Sequence, residues 1–207
     1  SGSIPPFQLA AMTFLVGGLM GVASWPFRPG VLFSLRRLPA RVWILSVVSL
    51  FGYHFIYFMA IQSAPTVEVS LIAYLWPLLL VVFSSFLPGE KLRWHHLAGV
   101  VLGLMGAFTV ITKGQGFSLN HGLMLGHVLA MPCAVIWAAY SVMSRSFGTV
   151  PTDAVAGFCL ASSALSLICH LLFETTVWPS GSTQWLAILG LGLAPLGAAF
   201  YTWDFGL

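Results

Sequence analysis

Charge is scarce in this chain. Its 207 residues include eight Lys and Arg and five Asp and Glu, so 6% of positions are charged, against about 25% in a typical soluble domain. Residues of the AVILMFWYC set make up 58%, with 16 Phe and 8 Trp. A soluble fold must present polar surface to water, and so few charges do not cover so apolar a chain. Lipid is therefore the expected solvent for most of it, which excludes a soluble dinucleotide-binding enzyme and a nucleic-acid binder. Cysteine is also rare. Cys133, Cys159 and Cys169 all fall inside apolar runs, with no C-x-x-C or zinc spacing. They read as small core hydrophobes, so a disulfide scaffold is excluded as well.

Other absences narrow the function. No G-x-x-x-x-G-K-[ST] occurs, which removes an ATP-driven machine, and no H-E-x-x-H occurs. His95 and His96 are adjacent beside Trp94 and do not form a ligand cluster, so neither a metal nor another cofactor is expected. Residues 184–207 contain no lysine, which excludes a retinal Schiff base. The serines are numerous without a nucleophile pattern, and the expectation is that the chain is not an enzyme. A channel would show a polar ring or a continuous hydrophilic stripe, and the apolar runs have neither.

Seven of those runs are long enough to span a bilayer at 1.5 Å per residue. They lie at roughly 7–25, 41–62, 66–87, 94–112, 121–143, 151–173 and 184–207. Pro, Gly and charge separate them, as in Trp25-Pro26-Phe27-Arg28-Pro29-Gly30 and Leu87-Pro88-Gly89-Glu90-Lys91. Long continuous runs argue against a β-barrel. The fold class is therefore an all-α polytopic membrane bundle. Trp25, Trp94, Trp178 and Trp185 sit near span ends, as an interfacial belt requires. Asp153 falls in the first turn of the sixth span and reads as a helix-start residue.

Charge orients the bundle. Arg28, Arg36, Arg37, Arg41, Lys91, Arg93 and Arg145 lie in loops on one face of an alternating topology, and Lys113 alone lies on the other. The positive-inside rule makes the Arg-rich face cytoplasmic. The first span then begins outside.

One offset relates two parts of the chain. Residues 4–14, I-P-P-F-Q-L-A-A-M-T-F, align at an offset of 146 with 150–160, V-P-T-D-A-V-A-G-F-C-L. Pro5 meets Pro151, and further along Tyr57 meets Trp203. The first span runs inward and the sixth outward, so the repeats are inverted, a transporter arrangement with the substrate site at the repeat interface. Completing the pattern predicts two five-helix repeats, of which seven helices are present. Residues 1–113 are the first repeat without its first helix, and 114–207 the second without its last two.

The stretch Ala64-Pro65-Thr66-Val67-Glu68-Val69-Ser70-Leu71-Ile72-Ala73-Tyr74-Leu75-Trp76-Pro77-Leu78-Leu79, followed by Pro88-Gly89-Glu90-Lys91-Leu92-Arg93-Trp94, resembles the EamA-type members of the drug/metabolite transporter superfamily. Tyr74-Leu75-Trp76-Pro77 is especially similar to the aromatic amino acid exporters among them. The resemblance implies ten helices in two inverted repeats and export of small metabolites without ATP, here across the bacterial inner membrane. The expected partners are a small-molecule substrate and surrounding lipid, with a monomer as the assembly. A same-fold carrier of nucleotide-sugars, sugar phosphates or drug-like solutes is the alternative, with a channel the less favoured one. Doubly charged substrates call for positive charge in the cavity, and every Arg and Lys here maps to a loop or a span end.

A cavity for an aromatic solute should be mostly apolar with a few orienting polar atoms. His54 and Tyr57 are three apart and share a helix face. Ser70 and Tyr74 are four apart, with Trp76 two further on. Trp137, Tyr140 and Ser141 share a face of the fifth span, and Trp203 is the repeat partner of Tyr57. These eight apart from Ser70 are the candidate substrate contacts: His54, Tyr57, Tyr74, Trp76, Trp137, Tyr140, Ser141 and Trp203. Carboxylates inside membranes are costly and usually functional, which makes Glu68 and Asp204 candidates for gating or coupling. Pro77 joins them as a helix distorter. Pro132, Pro195, the glycines of span one and Gly99-x-x-x-Gly103 suit kinked, closely packed helices.

Overall fold

The computed structural model describes residues 4–28, 30–87, 93–112, 124–145, 147 and 150–206, except for the side chains at 107, 110–112, 204 and 205. Every regular element among them is helical. The order is α1 (Pro6–Val22), a 3-10 turn (Trp25–Phe27), α2 (Val31–Arg37), α3 (Ala40–Ser63), α4 (Thr66–Ala73), α5 (Trp76–Ser84), α6 (Trp94–Thr112), α7 (Met124–Arg145), α8 (Ala154–Phe173), α9 (Ser182–Leu193), a π-helical turn (Ala194–Ala198) and α10 (Ala199–Gly206). Six described stretches are long and apolar enough to cross a membrane, and they follow the expected spans one, two, three, five, six and seven. The fourth expected span is the helix α6, which is not among those six. The chain is a multi-pass all-α membrane protein. Lys91 and Lys113, used above to orient it, lie outside the described residues.

Three local features differ from uninterrupted spans. The third span is broken, because Pro77 has no N–H to continue the α4 ladder and sits instead in the first turn of α5, where none is needed. The N–H of Leu75 turns back to the carbonyl of Ile72 at 3.1 Å. The last span changes to π-helical geometry at Ala194–Ala198, around Pro195. The loop between the first two spans holds the short helix α2, which periodicity did not reveal. By contrast α7 runs through Pro132 without interruption.

Contacts divide the chain into two packing units, Ser1–Phe51 with Phe147–Leu207, and Gly52–Ser146. These cut across the halves 1–113 and 114–207. A packing unit describes contact and a repeat describes descent, so the two divisions answer different questions.

In the first unit α1 and α8 are antiparallel. The carboxylate of Glu174, just past α8, accepts from the N–H groups of Phe7 at 3.0 Å and Gln8 at 3.1 Å. It thereby satisfies donors at the α1 N-terminus that have no partner inside the helix. Glu174 Oε2 also lies 2.9 Å from His170 Nδ1, and His170 Nε2 lies 2.9 Å from Thr176 Oγ1. The Gln8 amide donates to the carbonyl of Val177 and accepts from its N–H, both at 3.0 Å. Midway, Ser163 Oγ donates to the carbonyl of Ala11 at 2.7 Å. At the far end Arg28 pairs with Asp153 at 2.9 Å. Asp153 does stand at the start of α8, but its carboxylate serves this ion pair and makes no cap hydrogen bond.

Small residues let α1 approach the last span closely. A Cβ on Gly17 would lie 2.8 Å from the carbonyl oxygen of Leu196, and one on Gly192 would lie 2.9 Å from that of Thr13. Nothing but hydrogen fits at either position. Tyr201 closes the same contact by donating to the Gly17 carbonyl at 3.2 Å.

The second unit is built on α7, which packs against α4 and α5. Ala60, Ala64, Val69 and Ala130 form its buried core, with Tyr57, Ile61, Ile72 and Leu129 against them. Gly126 lets α7 reach the end of α3, since a Cβ there would lie 2.7 Å from the Ala60 carbonyl oxygen. Cys133 and Cys159 are buried and unbridged, as small hydrophobes should be. Gly103 meets Leu78, whereas Gly99 faces open space, so only one member of that pair serves packing. Trp94, Trp178 and Trp185 are exposed, together with Leu102, Met105, Leu171 and Phe173. An apolar exterior of this kind suits acyl chains.

Replacing Glu174 with Ala removes the α1 cap and strands a buried His170. The expected loss is about 3 kcal/mol, read as a lowered Tm of the detergent-solubilised chain, with Glu174→Gln falling in between. An unchanged Tm in Glu174→Ala would show that the clasp is not structural.

Candidate functional site

Successive turns of α3 bring four aromatic side chains to the second unit. Tyr53 and Tyr57 are one turn apart, so their rings stack, with centroids 6.0 Å apart and planes 6° from parallel. Tyr53 meets His54 edge-on at 5.1 Å, and His54 meets Phe58 at 6.2 Å. From α7, Trp137 contributes an edge-to-face contact with Tyr53 at 6.0 Å and lies 5.6 Å from Tyr140. These are favourable aromatic geometries. The array thus combines ring faces with the hydroxyl groups of Tyr53 and Tyr57 and the imidazole of His54.

Polar anchors hold the array. Tyr57 Oη lies 2.8 Å from Ser70 Oγ, fixing the ring against α4. Cys133 Sγ reaches the carbonyl of Tyr53 at 3.6 Å. Two residues nearer the α4 N-terminus, Glu68 Oε2 lies 2.6 Å from His127 Nε2, and both side chains are largely shielded. A largely shielded carboxylate in a membrane span needs such a partner. The pair ties the first turn of α4 to the first turn of α7.

Each sequence candidate now has a place. His54, Tyr57 and Trp137 fall in the array, and Tyr140 borders it in a buried position. Ser141 is buried, with its hydroxyl donating to the carbonyl of Trp137 at 2.8 Å. Tyr74 caps α4 at the helix break and is 69% exposed, with its N–H on the Ser70 carbonyl at 2.8 Å. Trp76 and Pro77 open α5, the first half-buried and the second exposed. Trp203 is half-buried in α10 of the first unit. The Asp204 side chain lies outside the described residues.

Sequence reasoning missed Tyr53 and His127. Tyr53 carries the i, i+4 signal with Tyr57 and was findable on that ground. His127 is 59 residues from Glu68, and only the demand of a membrane carboxylate for a partner pointed to it. The array suits a solute with a flat apolar body and a few polar groups. Among the described residues no cluster of three or more His, Cys, Asp or Glu could hold a metal ion.

Residues 1–112 match the EamA-like transporter family. The chain is 52% identical to the aromatic amino acid exporter YddG of Ancylobacter novellus, over all of this chain and 72% of that protein. It is 26% identical to the aromatic amino acid exporter YddG of Salmonella typhimurium over the same shares. The threonine/homoserine exporter RhtA of Escherichia coli is 28% identical over 92% of this chain and 60% of its own length. A crystal structure with 50% sequence identity matches at a TM-score of 0.89, covering 99% of this chain and 71% of that one.

The Tyr57–Ser70 contact is separable from its surroundings. A double-mutant cycle of Tyr57→Phe and Ser70→Ala on unfolding in detergent should return a coupling of about 1 kcal/mol. Full additivity would mean that the two hydroxyls do not hold the array.

Proposed function

Because the chain belongs to the EamA-like transporter family, we propose that it is a secondary carrier exporting small metabolites, foremost aromatic and other neutral amino acids, across the bacterial inner membrane. The observation that carries the reading is the ring array of Tyr53, Tyr57 and Trp137 with its hydroxyl anchor at Ser70. Rings offer stacking to an aromatic side chain, and the polar edges orient a solute without requiring that it carry net charge. His54, Tyr74 and Trp76 are assigned to the same substrate surface, with the buried Tyr140 and Ser141 backing it from behind Trp137. Trp203 is assigned as the repeat counterpart of Tyr57. The named activities of the similar proteins, aromatic amino acid export and threonine/homoserine export, fall in the same class.

Transport proceeds by alternating access, which exposes the ring array to one side of the membrane and then to the other. The antiparallel packing of α1 and α8 supports an inverted repeat, because descent from a duplicated segment inserted in the opposite sense produces that relation. Glu68, held by His127, and Pro77, at the break between α4 and α5, are the gating elements of this reading, with Asp204 as a further candidate. The Arg-rich loops face the cytoplasm, and the carrier works as a monomer.

Counterflow in proteoliposomes tests the reading. Labelled phenylalanine should exchange, with competition by Phe, Tyr and Trp ahead of other neutral amino acids. Tyr57→Ala and Tyr74→Ala should each lower the exchange roughly tenfold, the order expected for loss of a ring contact with its polar tip, while the protein still elutes as a folded species. No counterflow of any neutral amino acid from folded, inserted protein would overturn the proposal.

A further inference from the structure

The basic end of the first unit carries four arginines, of which one has a carboxylate partner among the described residues. Arg28 is paired with Asp153. Arg36, Arg37 and Arg41 are exposed and have no carboxylate partner among the described residues. Two of the three are held in place by rings. The Arg37 guanidinium stands 3.9 Å above the Phe33 ring, and that of Arg41 lies 5.5 Å from the Phe147 ring. Stacking of this kind uses the face of the guanidinium and leaves its in-plane N–H donors available.

Beside Arg37 lies an open groove of about 350 Å³, lined by Ser34, Arg37, Val42, Phe147 and Pro151 among others; Arg41 is not part of the lining but meets it at the Phe147 ring. Its lining combines the polar Ser34 and Arg37 with apolar side chains such as Val42 and Phe147. Beside it α2 buries Val31 and Leu35 against the protein and turns Leu32 and Phe33 outward, at 60% and 59% exposure, while Phe27 just before it is 86% exposed. Apolar side chains that flank unpaired arginines, at the end of a membrane bundle, match the boundary between acyl chains and headgroups. A groove with a basic residue at the end of a membrane bundle is a fitting seat for an acidic headgroup. A soluble phosphate would satisfy the arginines and leave Leu32, Phe33 and Phe27 uncovered.

We propose that this groove binds an anionic phospholipid, with Arg37 and Arg41 donating to the headgroup phosphate and the acyl chains covering Leu32 and Phe33. The site shares no residue with the ring array of the second unit and does not depend on what the carrier transports. Arg36 adds to the local potential from the adjacent position.

Native mass spectrometry of the full chain in detergent, titrated with dioleoyl-phosphatidylglycerol or dioleoyl-phosphatidylcholine, reads the site directly. Phosphatidylglycerol should bind at least fivefold more tightly than phosphatidylcholine. Each of Arg37→Gln and Arg41→Gln should weaken phosphatidylglycerol about fivefold and leave phosphatidylcholine unchanged, while Arg37→Lys keeps most of the preference. Equal binding of the two lipids by the unaltered chain would overturn the proposal whatever the variants do. So would unchanged phosphatidylglycerol binding in folded Arg37→Gln and Arg41→Gln. Displacement of the lipid by millimolar inorganic phosphate or glycerol phosphate would assign the groove to a soluble anion and overturn it too.

Discussion

In hydrocarbon a polar group without a partner costs several kcal/mol, and the placement of charge in this chain follows from that cost. Glu174 illustrates it best. One carboxylate, 11% exposed, accepts from the first donors of α1 and from a buried histidine at once. Each of those groups would be expensive in lipid alone, and together they make the end of an antiparallel helix pair. Asp153 answers to Arg28 at the other end of the same pair, and Glu68 answers to His127 in the second unit. The polar residues that remain inside the helices largely turn their hydroxyls onto carbonyls one turn back, as Thr13 does to Leu9 at 2.8 Å and Ser141 to Trp137.

The same economy explains how the helices pack. Lipid is as apolar as leucine, so exclusion from water does not drive one spanning helix onto another, and close van der Waals contact has to. The second unit accordingly has a core of three alanines and a valine rather than of large side chains. Aromatic bulk is kept for the ring array and for the exterior. Tyr57 packs against that core and is anchored to Ser70, so the ring array is also part of what holds the unit together.

The positions of the spans were legible from apolar run length, because length is what the bilayer selects. The boundaries at Ala40–Ser63 and Trp94–Thr112 lie within a residue of the expected edges. Composition could not show the break at Tyr74 and Leu75 or the π-helical turn, since apolar residues fill the run on both sides of each. Pro77 and Pro195 were the available signals, and a proline alone does not distinguish a kink from a break, as the continuous α7 around Pro132 demonstrates. Short α2 escaped because seven residues carry little periodicity. In the candidate site, local spacing found His54, Tyr57, Trp137 and Tyr140. Pairings between distant segments were out of its reach, which is why His127 and the α1 donors that Glu174 accepts from emerge only in three dimensions.

The contact between α1 and the last span bears on how this sequence can drift. At Gly17 and Gly192 the space beyond the α-carbon is already taken by another helix's backbone. Few neighbours can move to accommodate a new side chain, so these two sites tolerate almost no exchange in isolation. Residues such as Leu102, Met105, Leu171 and Phe173 face outward, and one apolar side chain there serves a fluid surrounding as well as another. Over generations the exterior should therefore turn over quickly in spelling while keeping its chemistry. The glycine seam should stay fixed in identity, and a related sequence that has lost it should also differ in how its helices cross.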